Sequence, residues 1–105
     1  MRRLEVVLTV SALADLEAIE SWLFDEGAPI PILEAYMDRL RRGCLALGDA
    51  PGKGWPRDDL APGLRVAHFE SSVLIAYRVA GDQVEIVSLF RRGRDYDAIL
   101  TASSS

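Results

Sequence analysis

Two nearly unbroken apolar runs, residues 72–79 and 84–91, stand either side of Ala80-Gly81-Asp82-Gln83 and limit the folds open to the chain. A strand with one solvated face alternates apolar and polar side chains, whereas a strand covered on both faces need not. Both runs are therefore expected to be central strands, and the short separator predicts a hairpin between them. A further run, residues 64–69, precedes them across Glu70-Ser71 and extends the hairpin into a three-stranded antiparallel meander. A sheet this apolar needs other elements packed on it.

The first half of the chain supplies that cover. Leu33, Met37, Leu40, Cys44 and Leu47 recur at intervals of four, three, four and three residues. This is the repeat of one helical face, so residues 31–47 are expected to form an amphipathic helix that Gly48 stops. Upstream, Ala12, Leu16, Ile19 and Leu23 share a face and predict a helix over residues 12–26, with Ser11 as its N-cap. Gly27 suits the left-handed position behind a helix, and Pro29 and Pro31 end that helix while permitting a new first turn. Residues 3–9, β-branched at Val6-Val7, read as a strand that pairs beside the meander.

Residues 48–63 carry too much glycine and proline for regular structure and read as a long loop. Residues 95–100 predict a last helical turn, and the small polar tail 101–105 is expected to fray. The expected fold class is α+β: N-terminal strand, α-helical hairpin, then a three-stranded antiparallel meander. Residues 1–105 are expected to form a single domain, because a second core would leave each half too small to bury enough apolar surface.

Composition narrows the function. The chain carries a net charge of −4, the wrong sign for neutralising phosphates, so direct specific nucleic-acid binding is not expected. No apolar stretch approaches the roughly 20 residues of a membrane span. Glu5 interrupts the basic, then apolar, amino terminus and no cleavage site follows, which reads as a strand of a cytoplasmic protein. Cys44 is the only cysteine and His68 the only histidine, so an internal disulfide, cysteine zinc sites and histidine-pair metal sites are all excluded. Cys44 reads as a buried structural thiol, His68 as a structural or interface residue, and Asp58-Asp59 as solvated charge. No glycine-rich phosphate loop is present; neither metal nor cofactor is expected.

Several strings, in this order of elements, carry a family resemblance. They are Ala14-Asp15-Leu16-Glu17-Ala18-Ile19 in the first helix, Pro62-Gly63-Leu64-Arg65 entering the meander, Leu74-Ile75-Ala76-Tyr77-Arg78-Val79 in its middle strand, and Val84-Glu85-Ile86-Val87 leading to Arg91-Arg92-Gly93-Arg94-Asp95-Tyr96. Together they resemble the ParE branch of the ParE/RelE toxins over residues 4–100. The chain departs from that pattern in the Pro29 and Pro31 pair, in its acidic balance, and in Ser88-Leu89-Phe90, where a histidine is often seen.

The resemblance implies the toxin of a type II toxin–antitoxin system, bound as a hetero-oligomer by a cognate ParD-like antitoxin of the ribbon-helix-helix type. ParE-like members inhibit DNA gyrase, whereas RelE-like members cleave messenger RNA on the ribosome, and a shared fold does not choose between them. A metal-independent ribonuclease needs converging acid–base groups and cations. Here Lys53 is the one lysine, Glu70 stands where RelE-like chains offer an arginine, and Ile99 falls about where their terminal tyrosine would lie. The expectation is a gyrase inhibitor that acts by protein binding, with no catalytic residues. A RelE-like ribosome-dependent mRNA endoribonuclease is the alternative.

Interface energy concentrates in tryptophan, tyrosine and arginine. Arg91, Arg92, Arg94 and Tyr96 are assigned to target binding, against a reading as solvated charge paired with Asp95 and Asp97. Arg65 and Arg78, on strands expected to be neighbours, are assigned to antitoxin binding, since guanidinium groups pair bidentately with carboxylates of an acidic partner. Internal salt bridges to Glu70 or Glu85 are the competing role. Trp22, off the main apolar stripe of its helix, joins the antitoxin set or plugs the edge of the core.

Overall fold

The computed structural model describes residues 3–92. In chain order its elements are β1 (Glu5–Leu8), α1 (Val10–Asp25), α2 (Ile30–Ala46), β2 (Trp55–Pro56), β3 (Arg65–Phe69), β4 (Val73–Ala80) and β5 (Gln83–Arg91). The strands form one five-stranded sheet in the order β1-β5-β4-β3-β2. Strands β2 to β5 pair antiparallel, and β1 lies parallel to β5 with Val6 opposite Val84 and Leu8 opposite Ile86. The two apolar runs thus become the inner strands β4 and β5, as their lack of alternation requires. The expected α+β fold stands, with a mixed sheet around its antiparallel meander.

Both helices cover one face of the sheet. Leu16 and Ile19 from α1 and Leu33, Met37, Leu40 and Cys44 from α2 pack on Ile75, Tyr77, Val84, Ile86 and Leu89. All five positions of the expected second-helix stripe, Leu33, Met37, Leu40, Cys44 and Leu47, are buried. Leu64, Ala76 and Phe90 form a smaller apolar cluster flanked by Leu60, Ala61, Leu74 and Val87. Register sets Ala76 and Phe90 on the face away from the helices, so the end of the long loop supplies part of the cover there.

Local chemistry explains the boundaries. Helix α1 ends in a Schellman motif: Gly27 has φ 88, its N–H donates to the Phe24 carbonyl, and the Ala28 N–H donates to the Leu23 carbonyl. The N-cap is Thr9, whose Oγ1 accepts from the Ala12 N–H at 3.1 Å, so the expected Ser11 cap is corrected by two residues. Thr9 wins because its hydroxyl also donates to the Val87 carbonyl on β5 at 2.9 Å. That carbonyl lies at a register shift: Ala76 faces Ser88, but Tyr77 faces Ile86, leaving Val87 as the extra residue of a β-bulge.

The loop of residues 48–63 contains one unexpected strand, β2. Pro56 cannot donate to a ladder and therefore sits at the outer edge of the sheet. Gly48 stops α2, and an added Cβ there would lie 2.3 Å from the Leu4 carbonyl oxygen. Close approach of two backbones, sealed by the Leu4 N–H donating to the Gly48 carbonyl at 2.9 Å, is what demands glycine.

Candidate protein-interaction site

The far end of β5 carries the first two arginines of the expected target-binding group. Arg91 is half-buried and its guanidinium lies over the Trp22 ring, 4.2 Å from the centroid. Arg92 is exposed; its backbone N–H donates to the Ser72 carbonyl at 2.9 Å and its side chain reaches the Ser71 carbonyl at 3.4 Å. The other two members, Arg94 and Tyr96, lie outside the described residues. Trp22 is 40% exposed. It is thus brought together with Arg91, a contact across two elements that the sequence reading had placed in separate groups.

Arg65 and Arg78 do lie on adjacent strands, but their register sets them apart. Arg65 is opposite Tyr77, so Arg78, one residue on, projects to the other face of the sheet. Arg78 pairs with its cross-strand neighbour Glu85 at 2.7 Å, the internal partner considered above. Arg65 takes neither Glu70 nor Glu85. It donates to the carbonyl oxygens of Gly54 at 2.7 Å and Gly52 at 3.3 Å, tying down the long loop.

Tyr77 completes that tie. It is wholly buried, its hydroxyl donates to the Pro51 carbonyl at 2.8 Å, and it accepts from the Gly54 N–H at 2.8 Å. A Cβ on Gly54 would lie 2.7 Å from the Tyr77 hydroxyl oxygen, so glycine is needed where loop and ring meet. In the sequence Tyr77 stands inside an apolar run; a tyrosine among aliphatic residues is the available signal, because a buried phenol requires partners.

Three further features shape the surface. Lys53, Trp55 and His68 border a shallow depression of about 190 Å³ beside β3. On the helical hairpin, Glu20, Asp25 and Glu34 rim a groove of about 380 Å³ lined by Phe24, Ile30 and Leu33. Arg39 meets Glu70 at 2.8 Å, and this hydrogen-bonded guanidinium holds the Glu70 carboxyl below the usual carboxylate range. Glu70 is therefore a salt-bridged anion at the β3–β4 turn. Cys44 is buried and desolvation pushes its thiol up to about 11, the opposite of what a nucleophile needs.

A small mixed sheet under a helical hairpin, with an arginine-bearing strand end, defines a two-layer α+β class. A family model described as the ParE toxin of the type II toxin–antitoxin system parDE matches residues 6–96, and the chain belongs to that family. It is a type II toxin of the ParE/RelE superfamily. A search of curated proteins found no match.

Among solved structures, a chromosomal ParDE toxin–antitoxin system from P. aeruginosa aligns with a TM-score of 0.71 and 24% identity, covering 85% of this chain and 96% of that one. A RelBE-type toxin–antitoxin complex from Mycobacterium tuberculosis aligns with a TM-score of 0.62 and 24% identity, covering 87% and 100%. A conserved hypothetical protein of Helicobacter pylori aligns at 0.55 and 20% identity, covering 87% and 97%. At these identities the likeness is one of fold. No helix among the described residues is long and apolar enough to cross a membrane.

Proposed function

We propose that this toxin acts in the cytoplasm by binding and inhibiting DNA gyrase, and that a cognate ParD-like ribbon-helix-helix antitoxin neutralises it in a hetero-oligomeric complex. The observation that carries this reading is the use of the cations. Arg91 and Arg92 stand together at the end of β5, where among the described residues neither meets a carboxylate, while Arg65 holds the carbonyls of Gly52 and Gly54. Arg91, Arg92, Arg94 and Tyr96 are the proposed target contacts, and Arg65, Arg78 and Trp22 the proposed antitoxin contacts. Since Arg65 and Arg78 belong to opposite faces, one antitoxin segment reaches both only by passing around a sheet edge.

Purified toxin should inhibit gyrase supercoiling or trap cleaved DNA, and the paired change Arg91→Ala with Arg92→Ala should remove the effect. No inhibition at micromolar toxin would sink the gyrase reading. One observation favours the ribosome-dependent mRNA endoribonuclease as a second reading: Lys53 and His68 border a single depression. Messenger RNA cleavage in a translating extract, lost on Lys53→Ala or Tyr96→Phe, would promote it.

A further inference from the structure

Helix α1 follows the outer edge of β5 beyond the end of β1. Thr9 Oγ1 donates to the Val87 carbonyl at 2.9 Å. Asp15 Oδ2 accepts from Ser88 Oγ at 2.6 Å and from the Leu89 N–H at 3.0 Å. Trp22 comes two helical turns after Asp15 on the same flank, and there its ring meets Arg91. The last contact of this series therefore places an arginine head instead of satisfying a backbone group.

The surroundings of that arginine differ from those of three others in the chain. Arg39, Arg57 and Arg78 each hold a carboxylate within 2.9 Å. Arg91 meets no carboxylate among the described residues; its recorded side-chain contact is the indole face. An aromatic ring under a guanidinium engages its flat face and leaves the in-plane N–H donors to other partners. The fork they form matches the two oxygens of a carboxylate.

We propose that Trp22 and Arg91 form one recognition element, an indole-seated guanidinium that takes a carboxylate from the wrapping segment of the antitoxin. The inference rests on the antitoxin reading above and deepens it: it names the chemistry of the contact and joins to the antitoxin surface an arginine assigned to the target. While a carboxylate occupies Arg91, the target cannot use that residue, so antitoxin and target exclude each other at this point. A carboxylate is favoured over a nucleic-acid phosphate because the chain carries a net charge of −4, and a polyphosphate would bring many more negative charges to it than one side chain does.

The test measures the dissociation constant of the cognate antitoxin for full-length wild type, Arg91→Ala, Arg91→Lys, Trp22→Phe, Trp22→Leu and the double variant Arg91→Ala/Trp22→Leu, at low and high salt. Arg91→Ala should weaken binding at least roughly tenfold and flatten its salt dependence, because a charge pair that dissolved ions screen has lost a member. Arg91→Lys should recover part of the affinity but lack the fork. Trp22→Phe should retain most of it, Trp22→Leu should lose several-fold, and the double variant should bind no worse than Arg91→Ala, as expected of coupled groups.

Additive losses, or an unchanged constant for Arg91→Ala with the fold intact by circular dichroism, would overturn the proposal. So would an oligonucleotide whose binding depends on Arg91 while antitoxin binding does not. A wild type that binds antitoxin but leaves gyrase active removes the gyrase reading and leaves this element standing; a wild type that binds no antitoxin overturns both the element and the antitoxin reading.

Discussion

Tyr77 and Cys44 are both buried in the helix-covered core, and each imposes a different condition on it. The Tyr77 hydroxyl serves Pro51 and Gly54 at once, so Tyr77→Phe leaves a buried N–H and a carbonyl without partners. That change should cost about 1–3 kcal/mol in chemical denaturation, with faster amide exchange confined to residues 50–56. Uniform acceleration across the sheet would refute the local role. Cys44 imposes a dependence on pH. Burial raises its thiol from 9.0 to about 11, so the folded state holds the proton more tightly than the unfolded chain. Its contribution is complete below pH 9 and is lost as the pH climbs toward 11, amounting to about 2–3 kcal/mol. Comparing the stability of wild type and Cys44→Ala across that interval isolates it, and parallel curves for the two would reject it.

Turns and caps show how much of the fold was legible at the level of elements. Both helices could be read from the period of their apolar residues, which records the buried face, and the three meander strands from apolar runs bounded by turns. Thr9 escaped as a cap because Ser11 is a cap residue by type and only a partner distant in sequence, Val87, favours Thr9. Strand β2 escaped because a two-residue edge strand has no period, and the side chains that hold its loop come from β3 and β4. The assigned pair Arg65 and Arg78 shows the same limit: adjacent strands were foreseeable, whereas their faces depend on a register that the turn sets. That turn carries its own cost. Glu70 and Ser71 have φ of 48 and 61, a left-handed conformation that L-residues adopt unwillingly and that primed hairpin turns require. Ser71→Gly should therefore raise stability by about 0.5 kcal/mol, the relief of strain exceeding the added freedom of the unfolded chain. In contrast, Gly81→Ala, at φ +62 in the β4–β5 turn, should lower it by about 1 kcal/mol. Thermal melts of the two variants moving in the same direction would contradict this account.

For the molecule as a whole, the core and the proposed binding elements separate in space, and that separation makes function testable independently of folding. Leu40 is fully buried between α2 and the sheet. Leu40→Ala should cost about 2–5 kcal/mol through lost contacts and the cavity left behind. In a domain of this size each kcal/mol moves the melting point by roughly 4–8 °C. Toxicity and antitoxin binding should then fall together with the folded fraction. Arg92 is exposed and Arg91 is half-buried against one indole, so replacing both with alanine removes little core packing and should change stability by no more than about 1 kcal/mol. Growth arrest on induction without antitoxin should disappear all the same. The informative comparison is growth plotted against melting temperature for both variants. If the arginine variant loses activity only in proportion to stability, the strand end is structural; if it loses activity while melting near wild type, adhesion at that end is what makes the chain a toxin.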